Sequence, residues 1–537
     1  MSWPVVGRAA AAAIEEATIA AGMPALELME NAGAALAAAA AVWLPRDGSE
    51  ISGQAATVLV LCGNGNNGGD GLVAARLLKS AGRSVAVVLC CGRPRSGSGA
   101  ENNLAIWEGA GGETLDAADA LEFLTEESAD GCAVAVDAIF GTGLNRDLAG
   151  ETAELVTALN ASGLPVVAAD IPSGLCCDSG RPLGVAVIAD TTVTFGCAKR
   201  GLFLGDGPNH GGRVKVADIG LLEPAFTGVL PDAHTIDAER CGETLPLRHR
   251  SIHKGELGHV LIVGGSSGKS GAVVLAGTAA LRCGAGLVTL AVPSSLAAVV
   301  DGALAETMTR ELADEGGQLA EGAWDGLREG ISNYDSVVLG PGLGTGPGAI
   351  DLVFSLIDSY AGPLLLDADA LNVLAESADR GREALLARSR NGATSAVMTP
   401  HPGEMARLLG SSVAEVQRDR LSAATGYASS NHVVMVLKGA ATVVCAEART
   451  AFNLSGNPGM ASAGMGDVLA GVIGTLQAQI SDSFEAAAAG VFLHGLAGDR
   501  LEVVLGDCGY LASDLANELP LAMTSIRHGN GDDHGYE

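Results

Sequence analysis

The sequence predicts an α/β chain built on two open, mostly parallel sheets, and three observations predict it. The chain has 537 residues, too many for one compact core at roughly 100–200 residues per domain. Short runs rich in valine and leucine recur without polar alternation, as strands buried on both faces do. Each run ends in a glycine-rich loop that opens an alanine-rich stretch, the crossover helix of a parallel sheet. With 48% hydrophobic residues the chain can bury large cores, so its 75 glycines, about twice the usual ~7%, mark tight loops rather than disorder.

The N-terminus carries the run Ala9 to Ala13 followed by Glu15 and Glu16. It lacks the charged region and cleavage site of a secretory signal and is a poor transit peptide. The longest uncharged stretch, Cys283 to Val300, is cut by Gly284, Gly286 and Pro293, and reads as a strand, a turn and a helix start rather than a membrane span. Eleven cysteines, an odd number with no zinc spacing, read as free and mostly buried thiols of a reducing compartment. The expected location is the cytoplasm. A net charge of −30 excludes nucleic acid and anionic membranes as main partners, while leaving room for local phosphate pockets.

The first recognisable phrase is the strand around Val58 to Leu61, followed by Gly63-Asn64-Gly65-Asn66-Asn67-Gly68-Gly69-Asp70-Gly71 and a helix. Glycines ahead of a helix N-terminus let a backbone approach phosphate. A dinucleotide dehydrogenase also needs an acid at the end of the next strand to hold the ribose. Here that strand runs into Cys90, Cys91 and Arg93, which disfavours the dehydrogenase reading. Asp137 and Asp170, with Ser173, end two further strands. Singly, each such residue reads as a cap or turn former. Three oxygen-bearing loops at three strand ends converge on one crevice in an open parallel sheet.

"LMENAG" at Leu28 to Gly33, "GNGNNGGDG", "VDAIFGTGL" and "ADIPSG" resemble the NAD(P)H-hydrate epimerases, over nearly all of the first ~220 residues. The resemblance implies a Rossmann-like three-layer αβα domain and a potassium ion (K+) held by Asn67, Asp137 and Ser173. It places the hydrated nucleotide on Asn66, Asn67, Gly68, Gly69 and Asp70, on Gly141, Thr142, Gly143, Leu144, Asn145, Arg146 and Asp147, and on Asp170. Epimerisation requires a proton to be handled at the carbon bearing the hydroxyl, and Asp170 is the expected acid–base group. Lys199 is either its charge partner or a solvated surface lysine.

A polar segment with Pro224, Pro231 and Pro246 interrupts the strand rhythm, which restarts at "GHVLIVGGSSGKSGA". The later strand ends carry Gly340, Gly342 and Gly344, then Asp367, Asp369 and Asn372, then His401 and Glu404 at a helix start, then Lys438-Gly439-Ala440-Ala441-Thr442. A loop of small residues, Ala463-Gly464-Met465-Gly466, ends in Asp467 and opens an apolar helix. Such a helix start aims N–H groups at a developing anion beside a carboxylate.

"HKGELGHVLIVGGS", "DADALN", "TPHPGE", "KGAAT" and "GNPGMASAGMGDVLAG" resemble the ribokinase-like superfamily and, within it, the ADP- or ATP-dependent NAD(P)H-hydrate dehydratases, from about Ile252 to Leu521. The resemblance implies a second three-layer αβα domain. In it the hydrated dinucleotide contacts Ala272, the turn at Gly342 and Gly344, His401 and Asp467. ADP or ATP contacts Lys438, Gly439, Ala440, Ala441, Thr442 and Gly466, and Asp467 is the catalytic base. Mg2+ on the phosphates is compatible with this chemistry and has no ligand in the motifs. Two departures stand out: Ala463, where the family often has glycine, and the stretch "GSSGKSGA", where relatives often carry a larger apolar or aromatic residue near Lys269.

The organisation expected is residues 1–222 as the epimerase domain, 223–250 as a linker, 251–525 as the dehydratase domain and 526–537 as a disordered tail, in a homo-oligomer acting on NADHX and NADPHX. Two rivals keep the folds. The second half reads also as a vitamin or sugar kinase using Asp467 on a substrate hydroxyl, and the first as a non-catalytic nucleotide-binding module.

Overall fold

The structure, a computed structural model, describes residues 2–45, 50–51, 54–125, 132–228 and 231–527. The expected tail beyond Arg527 lies outside them. The chain divides into two compact units, one spanning Trp3–His234 and the other with Thr235–Glu537 as its body.

The first unit holds a seven-stranded sheet with the order Arg213–Ala217, Thr191–Phe195, Val166–Ala169, Cys132–Ala138, Thr57–Cys62, Ser84–Leu89 and Thr114–Asp116. Every neighbouring pair is parallel. In Thr57–Cys62 the residues Val58, Val60 and Cys62 face one core and Leu59 and Leu61 the other. Both faces are therefore covered, and an unbroken apolar run replaces alternation. From Thr57–Cys62 the chain winds outward through two strands, then returns to Cys132–Ala138 on the opposite side. The crevice of an open α/β sheet lies at such a reversal, and here it collects the loops after Cys62 and Ala138.

The second unit repeats the device. Its parallel strands run in the order Val434–Leu437, Val397–Met398, Leu364–Leu366, Ser336–Leu339, His259–Val263, Leu287–Pro293 and Met308–Leu312. Thr442–Ala446 and Arg449–Asn453 continue beyond Val434–Leu437 as antiparallel strands. The reversal falls between His259–Val263 and Ser336–Leu339. Helix Met465–Gln479 packs on helix Ser270–Cys283, with Thr475 Oγ1 donating to the Ala280 carbonyl at 3.2 Å. A Cβ at Gly471 would lie 2.1 Å from the Ala276 carbonyl oxygen, so only glycine permits this approach.

The segment expected as a linker carries its own structure: a 3-10 turn Glu223–Phe226, a strand Ala233–Ile236 and a helix Ala238–Thr244. The helix is capped by Asp237, whose carboxylate accepts from Arg240 N at 2.9 Å. Arg240 pairs with Glu485 at 2.6 Å. The division between the compact units falls inside this stretch, between His234 and Thr235. Cys283 to Val300 forms a helix end, the strand Leu287–Pro293 and the start of helix Ala297–Ala303. No helix among the described residues is long and apolar enough to cross a membrane. All eleven cysteines are free, and only Cys508 is exposed.

Candidate active sites at two strand-end crevices

In the first unit, the loop after Cys62 enters helix Asn66–Ser80 with Gly65 as its cap. The first intrahelical bond runs from Gly69 N to the Gly65 carbonyl at 3.1 Å, leaving the N–H groups of Asn66, Asn67 and Gly68 for a ligand. Gly68 and Gly69 are buried, and their missing side chains face protein. A Cβ would lie 1.9 Å from the Gly63 carbonyl oxygen at Gly68 and 2.7 Å from the Met29 sulfur at Gly69. Their bare Cα positions therefore serve packing, and of the two only Gly68 keeps an N–H outside the helix bonds. Arg93 pairs with Glu108 through two hydrogen bonds, at 2.8 and 2.9 Å.

Asp137 is fully buried. It accepts Ser173 N at 2.7 Å and Ser173 Oγ at 2.6 Å. Burial pushes its carboxyl up to about 6 against the pull of these hydrogen bonds. Ser173 Oγ also accepts Phe140 N at 2.8 Å, which ties the Asp170 loop to the loop carrying Gly141. A Cβ at Gly141 would stand 3.1 Å from Asn67 Oδ1, so Asn67 closes the same ring. The amide nitrogen of Asn67 is buried without a partner. Turned by half a rotation, this amide presents an oxygen instead. Amide, hydroxyl, carboxylate and neighbouring carbonyls form an all-oxygen donor set that fits a hard cation such as K+. Thr142, Gly143, Leu144, Asn145, Arg146 and Asp147 follow as a half-buried to exposed loop.

Asp170 stands at a positive φ of 65°, a conformation in which a side chain is strained and which concentrates at functional sites. Its carboxylate accepts Phe195 N at 3.1 Å and pairs with Lys199 Nζ at 2.5 Å. Lys199 is only 3% exposed, with its ammonium also donating to the carbonyls of Phe195 and Cys197. It is the charge partner and not a surface lysine. Burial works to lower its pKa, and Asp170 with Cys197 reverses that and holds it above the usual lysine range. Asp70 is buried close by. Its carboxyl is raised well above the ordinary range by burial first, then by Asp170 and Glu15. Glu15, on helix Arg8–Ala20, is raised by desolvation and by Asp170.

In the second unit, the two loops at the reversal interlock. Gly265 N donates to the Pro341 carbonyl at 2.8 Å and Ser266 Oγ to the Gly342 carbonyl at 2.7 Å. A Cβ at Gly342, whose φ is +63°, would sit 3.2 Å from the Ala272 methyl, so these two expected substrate contacts are neighbours. Gly344 N donates to Asp369 Oδ2 at 2.8 Å. Lys269 reaches the same oxygen at 3.1 Å, which places an ammonium at the rim.

Asp467 lies in the first turn of helix Met465–Gln479, after Gly464 at φ 90°. Burial, then the charge of Asp367, push its carboxyl up to about 7, with Lys438 opposing. That matches a general base working near neutrality. Lys438 Nζ pairs with Asp367 at 2.9 Å and reaches Glu404 at 3.9 Å. It also stands 3.2 Å from where a Cβ of Gly466 would be, so the lysine bridges the turn 438–442 and the helix start. Asp367 is 2% exposed and accepts Thr399 Oγ1 at 2.7 Å. His401 caps helix Pro402–Leu409: its Nδ1 accepts Gly403 N at 2.9 Å, while Glu404 accepts His401 N at 2.8 Å. With Nδ1 engaged as acceptor, the neutral ring carries its proton on Nε2. His494, buried on helix Ser483–Leu505, bonds the Met465 carbonyl through Nε2 at 2.9 Å, and burial holds its pKa down at about 4.

Sequence reasoning assigned no role to Arg420, Thr399, Glu15 or His494. Arg420, Glu15 and His494 stand outside the quoted motifs, and Thr399, which opens "TPHPGE", shows its partner Asp367 only in the fold.

Residues 260–521 match the family model described as NAD(P)H-hydrate dehydratase. Residues 25–201 match the model described as YjeF-related protein N-terminus. The chain is 40% identical over 516 residues to the bifunctional NAD(P)H-hydrate repair enzyme of Moorella thermoacetica, covering 94% of this chain and 93% of that one. It is 39% identical over 467 residues to the enzyme of the same name from Escherichia coli, covering 86% and 84%. Among solved structures, an ADP/ATP-dependent NAD(P)H-hydrate dehydratase from Bacillus subtilis, co-crystallised with ATP/Mg2+, is 27% identical with a TM-score of 0.45, covering 54% of this chain and 98% of that one.

Proposed function

The chain belongs to the bifunctional NAD(P)H-hydrate repair enzymes, and from that premise we propose how its two crevices divide the work. The enzyme interconverts the R and S forms of hydrated NADH and NADPH, and dehydrates the S form back to the reduced coenzyme. It is thus both an isomerase and a lyase. We assign epimerisation to residues 1–222 and dehydration to 251–525.

In the epimerase crevice the hydrated nucleotide lies on Asn66 to Asp70, on Gly141 to Asp147 and against Asp170. Asn67, Asp137 and Ser173 would hold K+, which would supply a fixed positive charge at the crevice. Asp170 exchanges the proton, and Lys199 orients its carboxylate. The ion pair at 2.5 Å supports that division of roles.

In the dehydratase crevice Ala272, Gly342, Gly344 and His401 cradle the hydrated nicotinamide dinucleotide. The turn 438–442 and Gly466 take ADP or ATP, with Mg2+ on the phosphates. Asp467 accepts the proton of the C6 hydroxyl as its oxygen bonds to the terminal phosphorus and the nucleotide leaves. The phosphate then departs from C6 with the C–O electron pair, the ring nitrogen supplies electrons and the adjacent carbon loses a proton, restoring the reduced ring. The N–H groups at Gly464 to Gly466 meet the charge on the phosphoryl group. The single observation that carries this reading is the Asp467 carboxyl, raised to about 7 mainly by burial and Asp367, at a helix start beside Lys438.

We place the enzyme in the cytoplasm as a homo-oligomer, with small anionic substrates and neither nucleic acid nor membrane as partner. The test supplies hydrated NADPH with ADP and ATP side by side and follows the absorbance of reduced nicotinamide. Recovery with one nucleotide supports the reading, and Asp467→Asn abolishes it while R-to-S equilibration continues. Phosphorylation of an added alcohol without recovery points to the kinase instead. Equilibration no faster than the spontaneous rate makes the first unit a binding module.

A further inference from the structure

The turn Lys438 to Thr442 is a hairpin connection between Val434–Leu437 and Thr442–Ala446. Its backbone is unusual. Gly439 has φ 139° and Ala441 φ 51°, and for alanine the left-handed region is disfavoured. The cause lies beneath it. Arg420, at the start of helix Arg420–Asn431, is only 5% exposed and reaches under the turn. Its Nη2 donates to the carbonyls of Leu437 at 3.0 Å and Lys438 at 3.2 Å. Its Nη1 donates to the carbonyls of Ala440 and Ala441. A Cβ on Gly439 would stand 3.0 Å from Nη2. A planar trans peptide sends C=O and the next N–H in opposite directions. Carbonyls gathered inward therefore turn the following N–H groups the other way: Lys438 N donates to the Pro400 carbonyl at 2.9 Å, and among the described residues Gly439 N and Ala441 N find no backbone acceptor. No carboxylate among the described residues lies within ion-pair distance of Arg420, and its Nε is buried without a partner.

We propose that Arg420 is a positioning residue for the adenine nucleotide: its buried guanidinium holds the carbonyls of Leu437, Lys438, Ala440 and Ala441 inward, presents the N–H groups of Gly439 and Ala441 to the phosphates, and adds an unpaired positive charge beneath them. The proposal rests on the assignment of the turn as the nucleotide site.

Arg388 is the internal comparison. It is equally buried and also grips carbonyls, those of Tyr360, Gly362 and Thr394, but no candidate site residue is among them. A purely structural role predicts the same behaviour for both arginines, and a positioning role separates them.

The experiment measures initial dehydration rates of the full chain with ADP, ATP and hydrated NADPH each varied. Arg420→Lys loses the forked donors but keeps the charge. Its KM for both nucleotides is expected to rise about tenfold, with KM for the hydrate changed less than about twofold. Arg388→Lys lowers the thermal midpoint and leaves both KM values unchanged. Ala440→Asp, which puts a negative charge in the turn, raises the nucleotide KM. Should Arg420→Lys fail to fold, Gly439→Ala presses on the same guanidinium and is expected to give the same split. Unchanged nucleotide KM in Arg420→Lys while Ala440→Asp raises it overturns the role of Arg420 alone. Unchanged nucleotide KM in Ala440→Asp overturns the assignment of the turn. Equal rises in nucleotide and hydrate KM reduce Arg420 to a structural brace.

Discussion

Asp367→Asn separates charge from shape in the second crevice. Asparagine keeps an oxygen for Thr399 Oγ1, now at 2.7 Å, and for Lys438, now at 2.9 Å, so the local geometry is retained while one negative charge is removed. That charge is, after burial, the main cause raising Asp467 to about 7. Lys438 Nζ lies 2.9 Å from Asp367 on one side and 3.2 Å from the Cβ position of Gly466, the residue before Asp467, on the other. At an effective dielectric of ~20, two like charges about 6–7 Å apart repel by roughly 2.5 kcal/mol, which sets an upper bound of about 2 pH units. With solvent at the crevice mouth the expected shift is about 1 unit. The sign follows from the role: the base works ionised, so dehydration fails as pH drops through its pKa, and removing the neighbouring charge lets it ionise at lower pH. The assay is kcat/KM for hydrated NADPH at saturating nucleotide across about pH 5 to 9. The acid limb should sit near 7 in the parent and move down in Asp367→Asn, whatever the change in plateau rate. A limb that stays in place or moves up refutes Asp467 as the base tuned by Asp367.

Three further outcomes are expected. Asp467→Asn should stabilise the fold above neutrality by about 1–3 kcal/mol. A carboxyl raised in the folded state costs stability as pH rises from its ordinary value through about 7, so the gain in denaturation midpoint should appear at pH 8 and vanish near pH 4. Lys199→Met should slow R-to-S equilibration about a hundredfold or more and leave dehydration of the S form intact, measured by chromatographic separation of the epimers. Replacing K+ by tetramethylammonium should slow epimerisation and spare dehydration, and Ser173→Ala should blunt the response to K+.

The sheets were legible because burial on both faces writes itself as uniform apolar runs: Val58 to Cys62 needs no alternation when two cores flank it. The crevices were legible because strand-end loops are short and their glycines, amides and acids stand in one stretch of sequence. The Lys199 pairing was undecidable in sequence, since the exposure of a lysine depends on what packs over it. Asp367 and Lys438 lie 71 positions apart, and Arg420 meets a turn that begins about one helix later; no local pattern encodes such meetings. The stretch 223–250 read as a linker because a four-residue strand and a seven-residue helix are too short to display a period among prolines. Gly68 and Gly69 read as ligand contacts, yet their bare Cα atoms are needed by Gly63 and Met29.

The contact of Gly471 with the Ala276 carbonyl, which leaves no room for even a methyl group, reaches beyond packing. Helix Met465–Gln479 carries Asp467 at its first turn, so any heavier residue at 471 must displace the helix and with it the base, more than a full turn away. A position outside the candidate site residues therefore fixes where Asp467 stands. Part of the glycine content of this chain records such closed positions, where mutational drift ends not in a weaker fold but in a misaimed carboxylate.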